Sequence, residues 1–128
     1  MTLLERAYEA WNAHDIDGLL SHFDPQMVYK DMSTGTTIAG TEYFRERLKL
    51  SFESIPDIRF ELIDPLCLED RFASRARMFG TFTASIDEFE ATGSRFEVNY
   101  ATIGRIRNGL IVEAWDYFNL SEWTGTPS

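Results

Sequence analysis

The feature that most constrains the fold of this chain is a change in the spacing of its apolar residues near Pro56. Before this point apolar side chains recur every three or four residues, which is typical of helices that bury one face. After it they alternate with polar side chains, which is typical of strands that bury one face. Helices followed by hairpin-connected strands predict an α+β fold, in which the helices pack across one face of a curved antiparallel sheet.

Three helices are predicted in the first half of the chain. The first covers residues 2–13, and Thr2 and Glu5 form the pattern of a capping box at its start. Asp15 is suitable as the cap of a second, short helix. The third helix is predicted from Thr41, as its cap, to about Ser54.

Five strands are predicted, and two dipeptides define their boundaries. Asp64-Pro65 interrupts the second strand, which indicates an edge strand or a bulge because proline cannot donate a backbone hydrogen bond. Asn108-Gly109 predicts a two-residue hairpin turn. Residues 33–40 are predicted to be a loop and 121–128 a tail. The predicted strands cover residues 27–32, 58–68, 72–84, 95–107 and 109–119.

The composition fits one globular domain over residues 1–128. A hydrophobic content of 44% and an aromatic content of 14% are enough for a core and an apolar cavity. The net charge of −9 argues against nucleic acid or an anionic membrane as a partner. No signal peptide or apolar run of transmembrane length is evident, so a cytoplasmic protein is expected.

Asp116 is the strongest candidate for chemistry in the sequence. Alternation along the last strand places it on one face with Val112, Ala114 and Phe118, whose side chains are apolar. Burial among them would raise the pKa of the carboxyl group toward the range of a general base. An Asp on an edge strand, in water or paired with an Arg, explains the same pattern equally well.

The opposite face of the last strand carries Ile111, Trp115 and Tyr117. This is a large apolar surface for a monomer to expose. The sequence therefore predicts a homodimer formed through the sheet.

The order of these elements, together with four short segments, resembles the SnoaL-like branch of the nuclear transport factor 2-like superfamily. The resemblance implies a cone-shaped curved antiparallel sheet packed against three N-terminal helices, with an interior pocket and usually a dimer through the outer face. It does not imply one reaction, because the superfamily includes cyclases, isomerases, epoxide hydrolases, dehydratases and binding proteins. The matching segments are Ala10–Leu20, Gly40–Glu42, Pro56–Glu61 and Asn108–Asp116.

The resemblance also indicates two catalytic residues. Asp116 falls where SnoaL-like cyclases place an acid–base aspartate, and Asp31 falls near the proton-shuttling Asp of ketosteroid isomerases. Arg75 could anchor a carboxylate ligand or pair with acids on the outer surface. The candidate substrate-binding residues are Tyr29, Trp11, Arg75, Met78, Tyr100 and Phe118.

These observations predict a cofactor-independent acid–base enzyme of the cyclase or isomerase type, acting on a small apolar carbonyl compound such as a polyketide-like substrate. Asp116 would remove a proton, Asp31 could return it, and Tyr29 or Tyr100 would hydrogen-bond the enolate oxygen. No metal is required, and His14 and His22 do not form a metal site with the scattered Asp residues.

Two other functions remain open from the sequence. One is a non-catalytic small-molecule-binding or assembly domain, in which Asp116 is buried and paired. The other is an epoxide hydrolase or dehydratase, because Trp115–Asn119 is similar to the last strand of limonene epoxide hydrolases. In those enzymes an Arg-x-Asp partners the final Asp, whereas Arg77 occupies the position of that second Asp here.

Overall fold

The computed structural model describes residues 1–124, and the last four residues of the predicted tail lie outside the described part. Within residues 1–124 the fold has four helices and one six-stranded sheet. The helices are α1 (Leu3–Asn12), α2 (Ile16–Leu20), α3 (Thr41–Ser54) and α4 (Leu120–Thr124). The strands are β1 (Phe23–Asp31), β2 (Thr36–Ala39), β3 (Arg59–Cys67), β4 (Arg71–Thr81), β5 (Arg95–Arg107) and β6 (Leu110–Phe118).

The N-terminal caps agree with the sequence for the first two helices. At α1, Glu5 N–H donates to Thr2 Oγ1 at 3.2 Å and the Glu5 carboxylate accepts from Thr2 N–H at 3.1 Å, which confirms the capping box. Asp15 caps α2 by accepting from Gly18 N–H at 3.0 Å. The predicted cap of α3 is wrong, because Thr41 is already helical and the residue before it, Gly40, has no capping side chain.

The sheet is curved and unclosed, in the order β2-β1-β6-β5-β4-β3. Neighbouring strands are antiparallel except β1 and β6, which are parallel. The predicted loop at 33–40 therefore contains an edge strand, β2, that pairs with β1. At the other edge, the register of β3 shifts between Ile63 and Leu66, as Pro65 predicts.

The hairpin between β5 and β6 sets which side chains of β6 face inward. Asn108 and Gly109 both have positive φ angles, 53° and 75°, as the predicted two-residue turn requires. Just beyond it a bulge inserts one residue in β6, and Ile111 turns into the core with 2% exposure. The prediction that Ile111 lies on the outer face is therefore wrong.

The core lies between the inner face of the sheet and the helices. Its buried side chains include Leu4, Leu19, Phe44, Leu48, Phe72, Met78, Val98 and Ala114.

On the outer face, Ile103 and Tyr117 are about half exposed, and Trp115 is partly exposed beside them. The homodimer through this face stays a prediction. Within residues 1–124, no helix is long and apolar enough to cross a membrane.

Candidate active site

Asp116 lies in the middle of the inner face of the sheet. Its two neighbours across the sheet are Thr102 of β5 and Asp31 of β1, which pair with it in register. Only 2% of its surface is exposed. Downstream of the bulge the alternation holds, so Ala114, Asp116 and Phe118 face the interior as the sequence predicts.

Three hydroxyl groups, one from β1 and two from β5, surround the carboxylate of Asp116. Thr102 Oγ1 donates to Oδ1 at 2.7 Å. Tyr100 OH donates to Oδ2 at 2.7 Å, and Tyr29 OH donates to the same oxygen. A carboxylate has about four acceptor positions, so this arrangement leaves about one position, on Oδ1, without a donor.

Burial raises the pKa of Asp116 to about 7, while the hydrogen bonds from Tyr29, Thr102 and Tyr100 oppose a larger rise. No cation hydrogen-bonds this carboxylate among the described residues. Burial, and then the nearby charge of Asp116, raise the pKa values of Tyr29 and Tyr100 well above the ordinary value of a phenol. The two tyrosines are therefore protonated donors at neutral pH, and Asp116 is the group that titrates there.

Asp31 lies beside Asp116 but is held differently. Its Oδ1 accepts from the backbone N–H groups of Ser33 and Thr34, at 3.0 and 3.1 Å. Burial raises the pKa of Asp31, and these hydrogen bonds together with the charge of Arg47 oppose the rise. Within residues 1–124, no three His, Cys, Asp or Glu side chains are grouped as metal ligands would be.

Asp31 and Asp116 both line one cavity of about 140 Å³, enclosed by the sheet, α3 and the segment at 86–89. A cavity of this size is comparable with one that holds a single aromatic ring. Of the sequence-predicted residues, the cavity is lined by Asp116, Asp31, Tyr29, Trp11, Met78, Tyr100 and Phe118.

Arg75 is the exception, and its predicted role in binding is corrected by its position. It points to the outer face of β4, where its guanidinium pairs with Asp64 at 2.8 Å in water. Arg77 points the same way and pairs with Glu97 at 3.6 Å. The alternation of β4 explains this, because Ser74, which is buried, and Arg75 must lie on opposite faces.

Sequence reasoning missed part of the cavity wall. Phe44, Phe60 and Trp123 also line the cavity. The apolar spacing of the third helix and the second predicted strand indicated that Phe44 and Phe60 are buried, whereas Trp123 lies in the segment predicted to be a tail. Arg47 and Asp87 also line the cavity and form a two-point ion pair, with N–O distances of 3.1 and 2.7 Å. They lie 40 positions apart, so no local motif indicates the pair.

Family comparison agrees with this architecture. The profile of the SnoaL-like polyketide cyclase family matches residues 1–124, which is nearly the whole chain. The chain belongs to this family, as the sequence resemblance predicted. No curated protein is significantly similar to it.

Solved structures with the same fold cover nearly the whole chain at low identity. A candidate polyketide cyclase from Pseudomonas putida is 21% identical with a TM-score of 0.83, over 100% of this chain and 99% of that one. A hypothetical protein from Catenulispora acidiphila, with a ketosteroid isomerase-like fold and bound trimethylamine, has the same identity and TM-score, over 99% and 96%. IdmH, a candidate polyketide cyclase from Streptomyces antibioticus, is 24% identical with a TM-score of 0.78, over 94% and 91%. These matches establish the ketosteroid isomerase-like fold. The reaction has to be inferred from the residues of the site.

Proposed function

We propose that this protein is a cofactor-independent acid–base enzyme of the cyclase or isomerase type, and that its substrate is a small, largely apolar carbonyl compound. The observation that carries the proposal is the Asp116 carboxylate, which faces an aromatic-lined cavity and has its pKa raised to about 7 by burial. A base with a pKa near the working pH is ionised often enough to act, yet basic enough to accept a proton. Membership of the SnoaL-like polyketide cyclase family supports the same class of reaction.

Asp116 acts as the base. It removes a proton from the carbon next to the carbonyl group, and the electron pair of the broken C–H bond moves to the carbonyl oxygen to give an enolate. The acceptor position that remains on Oδ1 can receive this proton, since Oδ2 already accepts from two tyrosines. In a ring closure, the enolate carbon then attacks a second carbonyl carbon of the same substrate; the C=O π bond there breaks, and the oxygen takes up the proton that Asp116 received. In a double-bond shift, the enolate is conjugated with a C=C bond and is protonated at the far carbon of that system instead.

Tyr29 and Tyr100 stabilise the enolate. In the resting site both hydroxyls donate to the Asp116 carboxylate. After proton transfer Asp116 is neutral, the negative charge lies on the substrate oxygen, and a hydroxyl at the cavity wall gains more by donating to that oxygen. A well-placed donor to a developing oxyanion contributes about 3 kcal/mol to transition-state stabilisation.

Asp31 is the second acid–base group of this proposal. It lies in register with Asp116 on the adjacent strand and lines the same cavity. Burial raises the pKa of Asp31, which makes its carboxylate a better proton acceptor, and in a double-bond shift it can pass a proton to a carbon that Asp116 does not reach.

The test does not need the physiological substrate. Phenylacetone carries one aromatic ring and an acidified C–H group next to its carbonyl, and its exchange of hydrogen for deuterium in D₂O is followed by proton NMR. We expect the wild-type protein to accelerate this exchange over buffer, and Asp116→Asn to lose about 100-fold of the acceleration, a usual contribution of a general base. Asp64→Asn is the matched control, because Asp64 lies exposed on the outer face.

A second candidate, a non-catalytic binding domain, is favoured by one observation: three hydroxyls already satisfy most of the Asp116 carboxylate, as they would in a structural site. The same experiment separates the two functions. If wild-type protein exchanges phenylacetone no faster than buffer, or if Asp116→Asn keeps the wild-type acceleration, Asp116 is structural. Epoxide hydrolysis has less support, since Arg75 and Arg77 face away from the cavity.

A further inference from the structure

The mouth of the cavity contains the Arg47–Asp87 ion pair, to which the acid–base proposal assigns no role. Among the described residues, Arg47 is the one cation in the cavity wall, whereas Asp31, Asp87 and Asp116 are three acids. Its side chain is 19% exposed, so it is the group that an anionic ligand entering the cavity would be expected to contact.

Arg47 already has a charge partner, Asp87. Nη1 and Nη2 each donate to a different oxygen of Asp87, at 3.1 and 2.7 Å, which is the two-point geometry of a strong Arg–carboxylate pair. The pKa values agree with this, because Asp87 raises the pKa of Arg47 and Arg47 lowers that of Asp87.

A tight turn fixes Asp87 in place. Ile86 and Phe89 exchange backbone hydrogen bonds of 3.0 and 2.9 Å around it, and their side chains line the cavity. Asp87 itself has a positive φ of 53°, a conformation that Asp and Asn adopt more readily than other side chains. The pair is therefore held from both sides, by α3 and by this turn.

We propose that Asp87 determines the charge specificity of the cavity: by holding Arg47 in a two-point ion pair, it keeps the only cation of the described wall from ligands and makes the site discriminate against carboxylates. The inference rests on the proposed function, because it treats the cavity as the substrate site. With Arg47 neutralised, the charges that a ligand carboxylate meets in the wall are those of Asp31 and Asp116, which repel it. An uncharged carbonyl compound meets the same hydroxyls and aromatic rings without this repulsion. The substrate class is therefore uncharged at the end that enters the cavity.

The test uses three single-ring probes of nearly equal shape at pH 8, where Asp116 is ionised: acetophenone, benzamide and benzoate. Binding is measured from the shifts of backbone amide signals of cavity residues during NMR titration. In the wild-type protein we expect benzamide and acetophenone to bind at least about tenfold more tightly than benzoate, a ratio equivalent to about 1.4 kcal/mol.

Two variants isolate the role of Asp87. Asp87→Asn keeps the side-chain size and tolerates the positive φ but removes the charge that cancels Arg47. We expect benzoate to gain at least about threefold in affinity in this variant, with benzamide unchanged. Asp17→Asn is the control. Asp17 forms a 2.7 Å ion pair with Arg45, which is on α3 as Arg47 is, but Asp17 does not line the cavity. It makes the same change in net charge and should leave the ratio of affinities as in the wild type.

Three results would overturn the inference, and they differ in what else they affect. If wild-type protein binds benzoate as tightly as benzamide and Arg47→Gln abolishes that binding, Arg47 is an anion anchor and the inference alone fails. If Asp87→Asn leaves the ratio unchanged, the discrimination does not depend on Asp87, and again the inference alone fails. If neither benzamide nor acetophenone binds, the cavity is not a site for such ligands and the proposed function fails with it.

Discussion

The two faces of the sheet hold their carboxylates in opposite ways. On the outer face, Asp64 pairs with Arg75, and the two side chains are 74% and 67% exposed to water. On the inner face, Asp116 is 2% exposed and its partners are three neutral hydroxyls. An exposed ion pair neutralises the carboxylate but adds little to the free energy of unfolding. Hydroxyl groups in an apolar wall stabilise the carboxylate by hydrogen bonds but leave its negative charge in place. Only the second arrangement produces a carboxyl group that changes its charge near neutral pH.

The largest expected effect of this difference is on the pH dependence of stability. Because Asp116 binds a proton more tightly in the folded than in the unfolded chain, its contribution to stability is fully present below about pH 4 and is lost as the pH rises through about 7. Relative to Asp116→Asn, the wild-type protein should lose on the order of 2–4 kcal/mol in free energy of unfolding between pH 4 and pH 8. Urea unfolding of both proteins at several pH values measures the difference.

Asp64→Asn is the outer-face counterpart in that comparison. The free energy of unfolding of Asp64→Asn should differ from that of the wild type by an amount that varies much less with pH, because Asp64 and Arg75 are both exposed to water. If the difference in free energy of unfolding between the wild type and Asp116→Asn stays constant from pH 4 to pH 8, Asp116 does not bind a proton more tightly in the folded protein, and its assignment is wrong.

A smaller effect is expected from removing one hydroxyl at the site. Tyr100→Phe deletes a donor that favours the ionised form of Asp116, so the pKa of Asp116 should rise further, by about one unit. The midpoint of the pH–rate profile for phenylacetone exchange should move upward by the same amount. Tyr117→Phe, on the outer face and 45% exposed, is the matched control. An unchanged midpoint in Tyr100→Phe would mean that this hydrogen bond does not set the pKa.

The smallest effect is expected on the outer face itself. Arg75→Gln breaks the exposed pair with Asp64, and such pairs contribute about 0–1 kcal/mol. The free energy of unfolding should change within that range, and the binding of acetophenone should stay as in the wild type. A tenfold loss of acetophenone binding would restore the role in the site that the sequence suggested for Arg75.

Local patterns explain which parts of the fold could be predicted. The capping box at Thr2, the cap at Asp15 and the Asn108-Gly109 turn all depend on residues within a few positions of one another, and all were found. The strand at Thr36–Ala39 was missed because its weak apolar pattern becomes a strand only by pairing with β1. The direction of Ile111 was missed because a bulge changes the alternation that the prediction assumes.

The sequence indicated individual residues of the candidate site but not the hydrogen bonds between them. Alternation correctly placed Asp116 on the inner face, and the resemblance added Asp31. That Tyr29, Tyr100 and Thr102 all donate to one carboxylate depends on the register of three strands, which side-chain alternation does not fix.

The central claim is that Asp116 titrates near neutral pH inside the cavity. The most direct measurement is carbon-13 NMR of the aspartate side-chain carboxyl groups between pH 4 and pH 9, with the Asp116 signal assigned by its absence from Asp116→Asn. We expect this signal to titrate with a midpoint near pH 7, above every midpoint expected for a carboxylate in water. A midpoint at or below about pH 4 would mean that the hydroxyls outweigh burial, and it would contradict the role of Asp116 as a general base poised at neutral pH.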